Sequence, residues 1–142
     1  MNTHFHLAAQ TPCHKILSQH LAYLKWHYTM WMRKKYAWKG PLWRERYRSL
    51  PIENENYLYT CGMYIEYNPV RAGICSNPAD YPYSSYQKYQ LGITNTLLDN
   101  YETFPDLKQS LGLDYTADIT KNLFSLAPAI GSNSFIKKCL SQ

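Results

Sequence analysis

Between two breaks, Thr11-Pro12 and Gly40-Pro41, the chain places Ile16, Leu17, Leu21, Leu24, Tyr28 and Trp31 at helical spacing. That run predicts a long amphipathic helix ending near Tyr36, which must lay its apolar stripe on something. With 142 residues, 45% of them apolar and 15% aromatic, the chain is long enough for one ordinary domain with a core of its own.

The segment after Gly40-Pro41 follows a different period. In LWRERYRSLPI, Arg44, Arg46 and Arg48 fall on one side and Trp43, Glu45 and Tyr47 on the other, which predicts a strand with one basic face. Next, NENYLYTCGMYIEY returns to helical spacing at Tyr57, Cys61, Tyr64 and Ile65. Asn54 is its N-cap candidate, and Asn68-Pro69 is expected to close it. SNPADYPYSSYQKYQLG is read as a loop plus a short helix, and small helices are expected around Asp106 to Leu111, Ala117 to Leu126 and Ser134 to Leu140.

Formal charge is +5, and the cations gather with tryptophans in one stretch, Arg33 to Arg48, a mixture that suits nucleic acid as well as a solvated basic surface. Cys13, Cys61, Cys75 and Cys139 form no CxxC pair, so neither a zinc ribbon nor a disulfide framework is indicated. The sequence shows no secretory leader pattern and no apolar run of membrane-spanning length. These features predict a cytoplasmic protein.

The chemistry-bearing residues lie in two places. In His4-Phe5-His6, an extended backbone would send both imidazoles to one side and Phe5 into the core, giving half of a metal site. Such a pair also occurs by chance as hydrogen-bonded surface histidines. Tyr64 and Asn68 are four apart, so a phenol and a carboxamide share one helix face. An amide oxygen can join two histidines around a hard divalent cation, with phosphate oxygen and water in the other positions. The phenol could then attack phosphorus and form a phosphotyrosine. With 14 tyrosines in the chain, the ordinary reading of Tyr64 on spacing alone is a half-buried core aromatic.

These residues match a known pattern. MNTHFHL resembles the HUH motif of single-tyrosine transposases, and YIEYNPVRAGICSNPADYPYSSYQKY is similar to the YIxxNPVRAG and DYPxSSY signature of REP-associated tyrosine transposases. LWRERYRSLPIENENYLY resembles the family's strand-and-helix entry, and AIGSNSFIKK its IGSxxFI element near the C-terminus. The resemblance runs from Met1 to about Lys138.

The resemblance implies an α+β, ferredoxin-like HUH domain over residues 1–92 and a C-terminal helical extension over 93–142. It implies a metal-dependent tyrosine endonuclease and strand transferase that cuts and rejoins single-stranded or hairpin DNA in transposition, using Mg²⁺ or Mn²⁺. His4, His6 and Asn68 would be the metal ligands and Tyr64 the nucleophile. Arg44, Arg46, Arg48 and Arg71 would hold backbone phosphates while nearby aromatics stack unpaired bases.

Two departures modify that expectation. Family members carry a strand, a helix and a further strand before a motif that commonly reads MxNHxHL, and here Met1 falls on its methionine and Thr3 on its asparagine. A domain lacking its first strand-helix-strand, with weak or no cleavage activity, is therefore expected. Two other functions are open: a non-catalytic module binding DNA or RNA hairpins through its basic and tyrosine-rich surfaces, and a metallohydrolase built on His4 and His6. The second lacks a carboxylate at ligand spacing. Monomer and dimer are both compatible with the sequence.

Overall fold

The computed structural model describes residues 4–98 and 128–141. The described residues form four helices and one 3-10 turn: α1 (His14–Tyr36), α2 (Glu55–Arg71), the turn Pro78–Asp80, α3 (Tyr86–Leu91) and α4 (Asn133–Leu140). The chain divides into two compact units, Ala9–Ser49 and Met1–Ala8 with Leu50–Gln142.

In the Ala9–Ser49 unit, α1 spans 23 residues and buries none of them fully. Ala37 closes it in the left-handed region at φ 51°, with Arg33, Lys34 and Lys35 in the last turn, where cations complement the helix dipole. The chain then doubles back along α1. The Trp43 indole Nε1 donates to the Thr29 hydroxyl at 3.0 Å and the Lys25 carbonyl at 3.1 Å. Lys25 Nζ donates to the Glu45 carbonyl at 3.1 Å. The Tyr47 hydroxyl meets Ser18 Oγ at 2.5 Å and His14 Nε2 at 3.1 Å.

This return segment corrects the expected strand. Its two-residue alternation is present, with Trp43 and Tyr47 turned to α1 and Arg44, Arg46 and Arg48 exposed, but among the described residues it forms no strand ladder. Alternation records that a segment has two sides, and here a helix surface occupies one of them.

The other unit is organised on α2. Asn54 caps it, its side-chain oxygen accepting from Tyr57 N–H at 3.2 Å, as the sequence predicts. Cys61, Met63, Glu66, Asn68 and Pro69 form its buried positions, with Ala129 and Ile130 buried in the same unit. Burial pushes the Cys61 thiol up from 9.0 to about 11.

The helix does not stop at Asn68-Pro69 but runs on to Arg71. A proline in the last turn forfeits only its own N–H bond. The ending that follows satisfies the last carbonyls: Ile74 N–H donates to the Pro69 carbonyl and Gly73 N–H to the Val70 carbonyl, both at 2.9 Å. That is a Schellman closure, and Gly73 at φ +66° supplies its left-handed residue.

Two short elements follow the expected loop. Asn77 caps the 3-10 turn by accepting from Ala79 N–H at 2.9 Å, and α3 forms the short helix anticipated beyond it. Helix α4 matches the segment expected from Ser134, whereas the helices expected around Asp106 and Ala117 lie outside the described residues.

The α+β ferredoxin-like expectation is overturned. Among the described residues there is no sheet, and β pairing consists of one isolated parallel bridge between Ile52 and Ile130. Two backbone bonds make it, Ile130 N–H to the Pro51 carbonyl at 2.8 Å and Glu53 N–H to the Ile130 carbonyl at 3.0 Å. Phe5 is 52% exposed where an inward core position was expected. A sheet requires neighbouring segments that satisfy each other's N–H and C=O groups. The alternating segments of this chain are met by helices.

The Ile52–Ile130 bridge also seats α4. Glu53 accepts from Ser132 N–H at 2.5 Å and from the Ser132 hydroxyl at 2.9 Å, while Ser132 caps α4 by accepting from Phe135 N–H at 3.4 Å. A carboxylate at a helix N-terminus is electrostatically favourable.

Candidate active site

The face of α2 carrying Tyr64, Asn68 and Arg71 meets the segment that carries the two histidines. Spacings of four and seven residues place these three side chains on successive turns of one helix face. His6 Nε2 lies 3.1 Å from Asn68 Nδ2. The His6 and Tyr64 rings stand edge to face with centroids 5.6 Å apart, and His4 meets His6 in the same manner at 5.2 Å. The Arg71 guanidinium lies over the Tyr64 ring, 3.8 Å from its centroid.

The structure thus brings His4, His6, Tyr64, Asn68 and Arg71 together. Arg44, Arg46 and Arg48 are exposed residues of the Ala9–Ser49 unit. Sequence reasoning reached four members of the cluster by motif and spacing but assigned Arg71 to phosphate alone. Its position two helical turns after Tyr64 is the signal that places it on the phenol.

Burial holds the His6 imidazole below its ordinary pKa, with the nearby charges of His4 and Arg71 acting in the same direction. Neutral His6 offers a lone pair at Nε2, and the Asn68 amide N–H donates to it. Asn68 is itself buried, so this hydrogen bond satisfies a polar group that would otherwise be costly to enclose.

The donor set fits a divalent ion. Adjacent ligand atoms of an octahedral ion with bonds of about 2.1 Å lie roughly 3 Å apart. The 3.1 Å between His6 Nε2 and the Asn68 amide is that spacing, and rotating the amide exchanges Nδ2 for the ligating oxygen. Two imidazoles and an amide make an electrically neutral set, and no group of three or more His, Cys, Asp or Glu that could hold a metal ion occurs among the described residues. A cation held by two imidazoles and an amide keeps its positive charge available for an anionic ligand.

Glu66, the nearest acidic residue along α2, is occupied elsewhere. It is 1% exposed, and one carboxylate oxygen accepts from the Ser85 hydroxyl at 2.8 Å. The SSY segment is therefore fixed to α2 through Ser85, a link the sequence does not announce.

Comparison with known proteins points in the same direction as the constellation. Residues 1–68 match the model of a family described as Transposase IS200 like. The match takes in His4, His6, Tyr64 and Asn68 and supports a transposase-like chain in general terms. No curated protein and no solved structure matches the chain. No helix among the described residues is long and apolar enough to cross a membrane.

Proposed function

We propose that the chain is a single-tyrosine DNA strand transferase of the REP-associated kind, acting on single-stranded or hairpin DNA in transposition. The observation that carries this reading is the convergence of the HFH segment on α2, with His6 against both Asn68 and Tyr64.

In this reading the Tyr64 hydroxyl oxygen attacks the scissile phosphorus. The Tyr64 O–P bond forms, the P–O3′ bond breaks, and the proton lost by the phenol is balanced by the one taken up at the departing 3′ oxygen. The product is a 5′-phosphotyrosine and a free 3′ end, and attack by another 3′ hydroxyl reverses the step and joins the strands. Arg71 keeps the Tyr64 ring oriented through its face and places a fixed positive charge beside the anionic phosphate. His4, His6 and Asn68 would hold Mg²⁺ or Mn²⁺, which when bound supplies electrophilic stabilisation of the phosphate. Arg44, Arg46 and Arg48 take the role of backbone-phosphate contacts, which give affinity without base preference.

The test is Tyr64→Phe. With a labelled hairpin oligonucleotide and Mn²⁺, the parent chain should yield a covalent protein–DNA species, in the low yield expected of weak cleavage, that survives denaturing electrophoresis. The variant should yield none while retaining binding within about twofold, since a phenyl ring preserves the packing. An adduct of equal yield with the variant would sink the assignment. A second reading, a non-catalytic nucleic-acid-binding module, is favoured by the exposed arginines of the return segment. Binding without an adduct, unaltered in His6→Ala, would establish it instead.

A further inference from the structure

Charge is distributed very unevenly along this chain. The Ala9–Ser49 unit holds nine lysines and arginines against the single acid Glu45, an excess of eight positive charges in a chain whose total is +5. The same unit leaves most of the large aromatic side chains of α1 at the surface. Tyr28 is 44% exposed, Trp31 46% and Tyr36 57%, on a helix that buries no residue fully.

Those rings are ordered. Tyr28 and Trp31, three apart on α1, stack with centroids 5.5 Å apart and an interplanar angle of 27°. Trp31 continues to Tyr36 at 5.7 Å, and Tyr28 to Trp43 at 5.8 Å. Four aromatic rings thus form one continuous run along the helix and its return segment. Each end carries an ammonium group. Lys35 Nζ lies over Trp31 at 4.7 Å and near Tyr36 at 5.2 Å, and Lys25 Nζ lies over Trp43 at 5.1 Å.

We infer that the run Tyr36–Trp31–Tyr28–Trp43, with Lys35 and Lys25 at its ends, is a stacking platform for unpaired bases of single-stranded DNA. This inference rests on the proposal that the chain acts on single-stranded DNA, and adds a binding site in the unit that does not contain Tyr64.

Three observations select this occupant. The excess of cations demands a polyanion. Half-exposed rings in succession offer π-faces that a base can cover and that a carboxylate-rich peptide cannot use. Lysines seated over those rings put phosphate-binding charge beside the stacking surface, so one strand could be held by base and backbone together. Duplex DNA fits poorly, because its bases are stacked on one another and present only their edges.

The test measures equilibrium binding of the full chain to a fluorescent oligothymidylate of roughly 20 nucleotides, longer than a site of this kind requires. EDTA is included so that no covalent step intervenes. Trp31→Leu keeps apolar bulk on α1 and removes the π-face. It should weaken binding about tenfold or more, the loss expected for one stacking ring. Lys35→Gln should weaken binding and lower the salt slope by about one. Tyr83→Leu, an exposed aromatic of the other unit, should leave binding within twofold and serves as the control.

Binding by Trp31→Leu within twofold of the parent, with its helical circular dichroism intact, would overturn the platform and leave the strand-transferase proposal standing. Failure of the parent to bind the oligonucleotide would remove both. Equal affinity for duplex, tighter binding of oligouridylate, or conversion of a parental dimer to monomer by Trp31→Leu would assign the face to a different occupant and equally overturn the inference.

Discussion

Asn68 brings its side-chain amide nitrogen to 3.1 Å from His6 Nε2 across 62 positions of sequence. The contact joins the HFH segment to the helix face that carries Tyr64, so one amide both satisfies a part-buried polar pair and sets the spacing of two prospective metal donors. Helix α2 supplies the rigid side of this arrangement through a capped N-terminus and a Schellman C-terminus.

Substitution at Asn68 separates the structural and ligating roles of that amide. Asn68→Ala leaves the half-buried His6 Nε2 without its donor, which should destabilise the fold by about 1 kcal/mol and weaken Mn²⁺ binding by tenfold or more. Asn68→Asp returns an oxygen donor with a negative charge and should bind Mn²⁺ more tightly than the parent. Electron paramagnetic resonance of free Mn²⁺ reads both effects. Equal affinity in the parent and Asn68→Ala would remove Asn68 from the ligand set.

The attachment of α4 depends on a position without a side chain. An ideal Cβ on Gly131 would stand 2.6 Å from Glu53 Oε2 and Phe135 Cδ1 and 2.8 Å from Glu53 Cβ. The Glu53 carboxylate cannot withdraw without giving up its bonds to Ser132. Gly131→Ala should therefore cost about 1 to 3 kcal/mol by overpacking, with faster proteolysis near α4. Urea denaturation gives the first quantity and limited digestion the second, and an unchanged midpoint would show that the bridge region yields freely.

Helices α1 and α2 were legible because their apolar residues recur over many turns, and Asn54 because a cap residue before such a run has a defined backbone partner. The sheet was misread for a physical reason. Alternation at Trp43, Glu45 and Tyr47 specifies two sides of an extended segment and is indifferent to whether a strand or a helix covers one of them. Asn68-Pro69 marks the helix end to within one turn: Pro69 lacks an N–H of its own, but its carbonyl and that of Val70 accept from the closing turn, and the helix ends at Arg71. Within the site, a local motif and a four-residue spacing pointed to His6 and Asn68. The Glu53–Ser132 and Glu66–Ser85 links left no such trace, since residues 79 and 19 positions apart share no periodicity.

The Glu66 link makes stability depend on pH in a direction opposite to that of most carboxylates. Burial raises the Glu66 carboxyl above the ordinary glutamate value of 4.5, and the polar side chains of Ser85 and Gln90 offset only part of this. Its second oxygen is buried without a hydrogen-bond partner among the described residues, so ionisation in place is poorly compensated. Below pH 4.5 both folded and unfolded chains are protonated at this residue, and its contribution is fully present. As pH rises past 4.5 the unfolded chain ionises first, and stability falls until pH passes the raised folded value. Each unit of separation between the two values is worth about 1.4 kcal/mol. Glu66→Gln keeps the acceptor for Ser85 and cannot ionise, so its advantage over the parent should grow across that window and then level off. Urea midpoints from pH 4 to pH 8 measure the difference. Parallel profiles for the two proteins would mean that Glu66 ionises in the folded chain as easily as in the unfolded one.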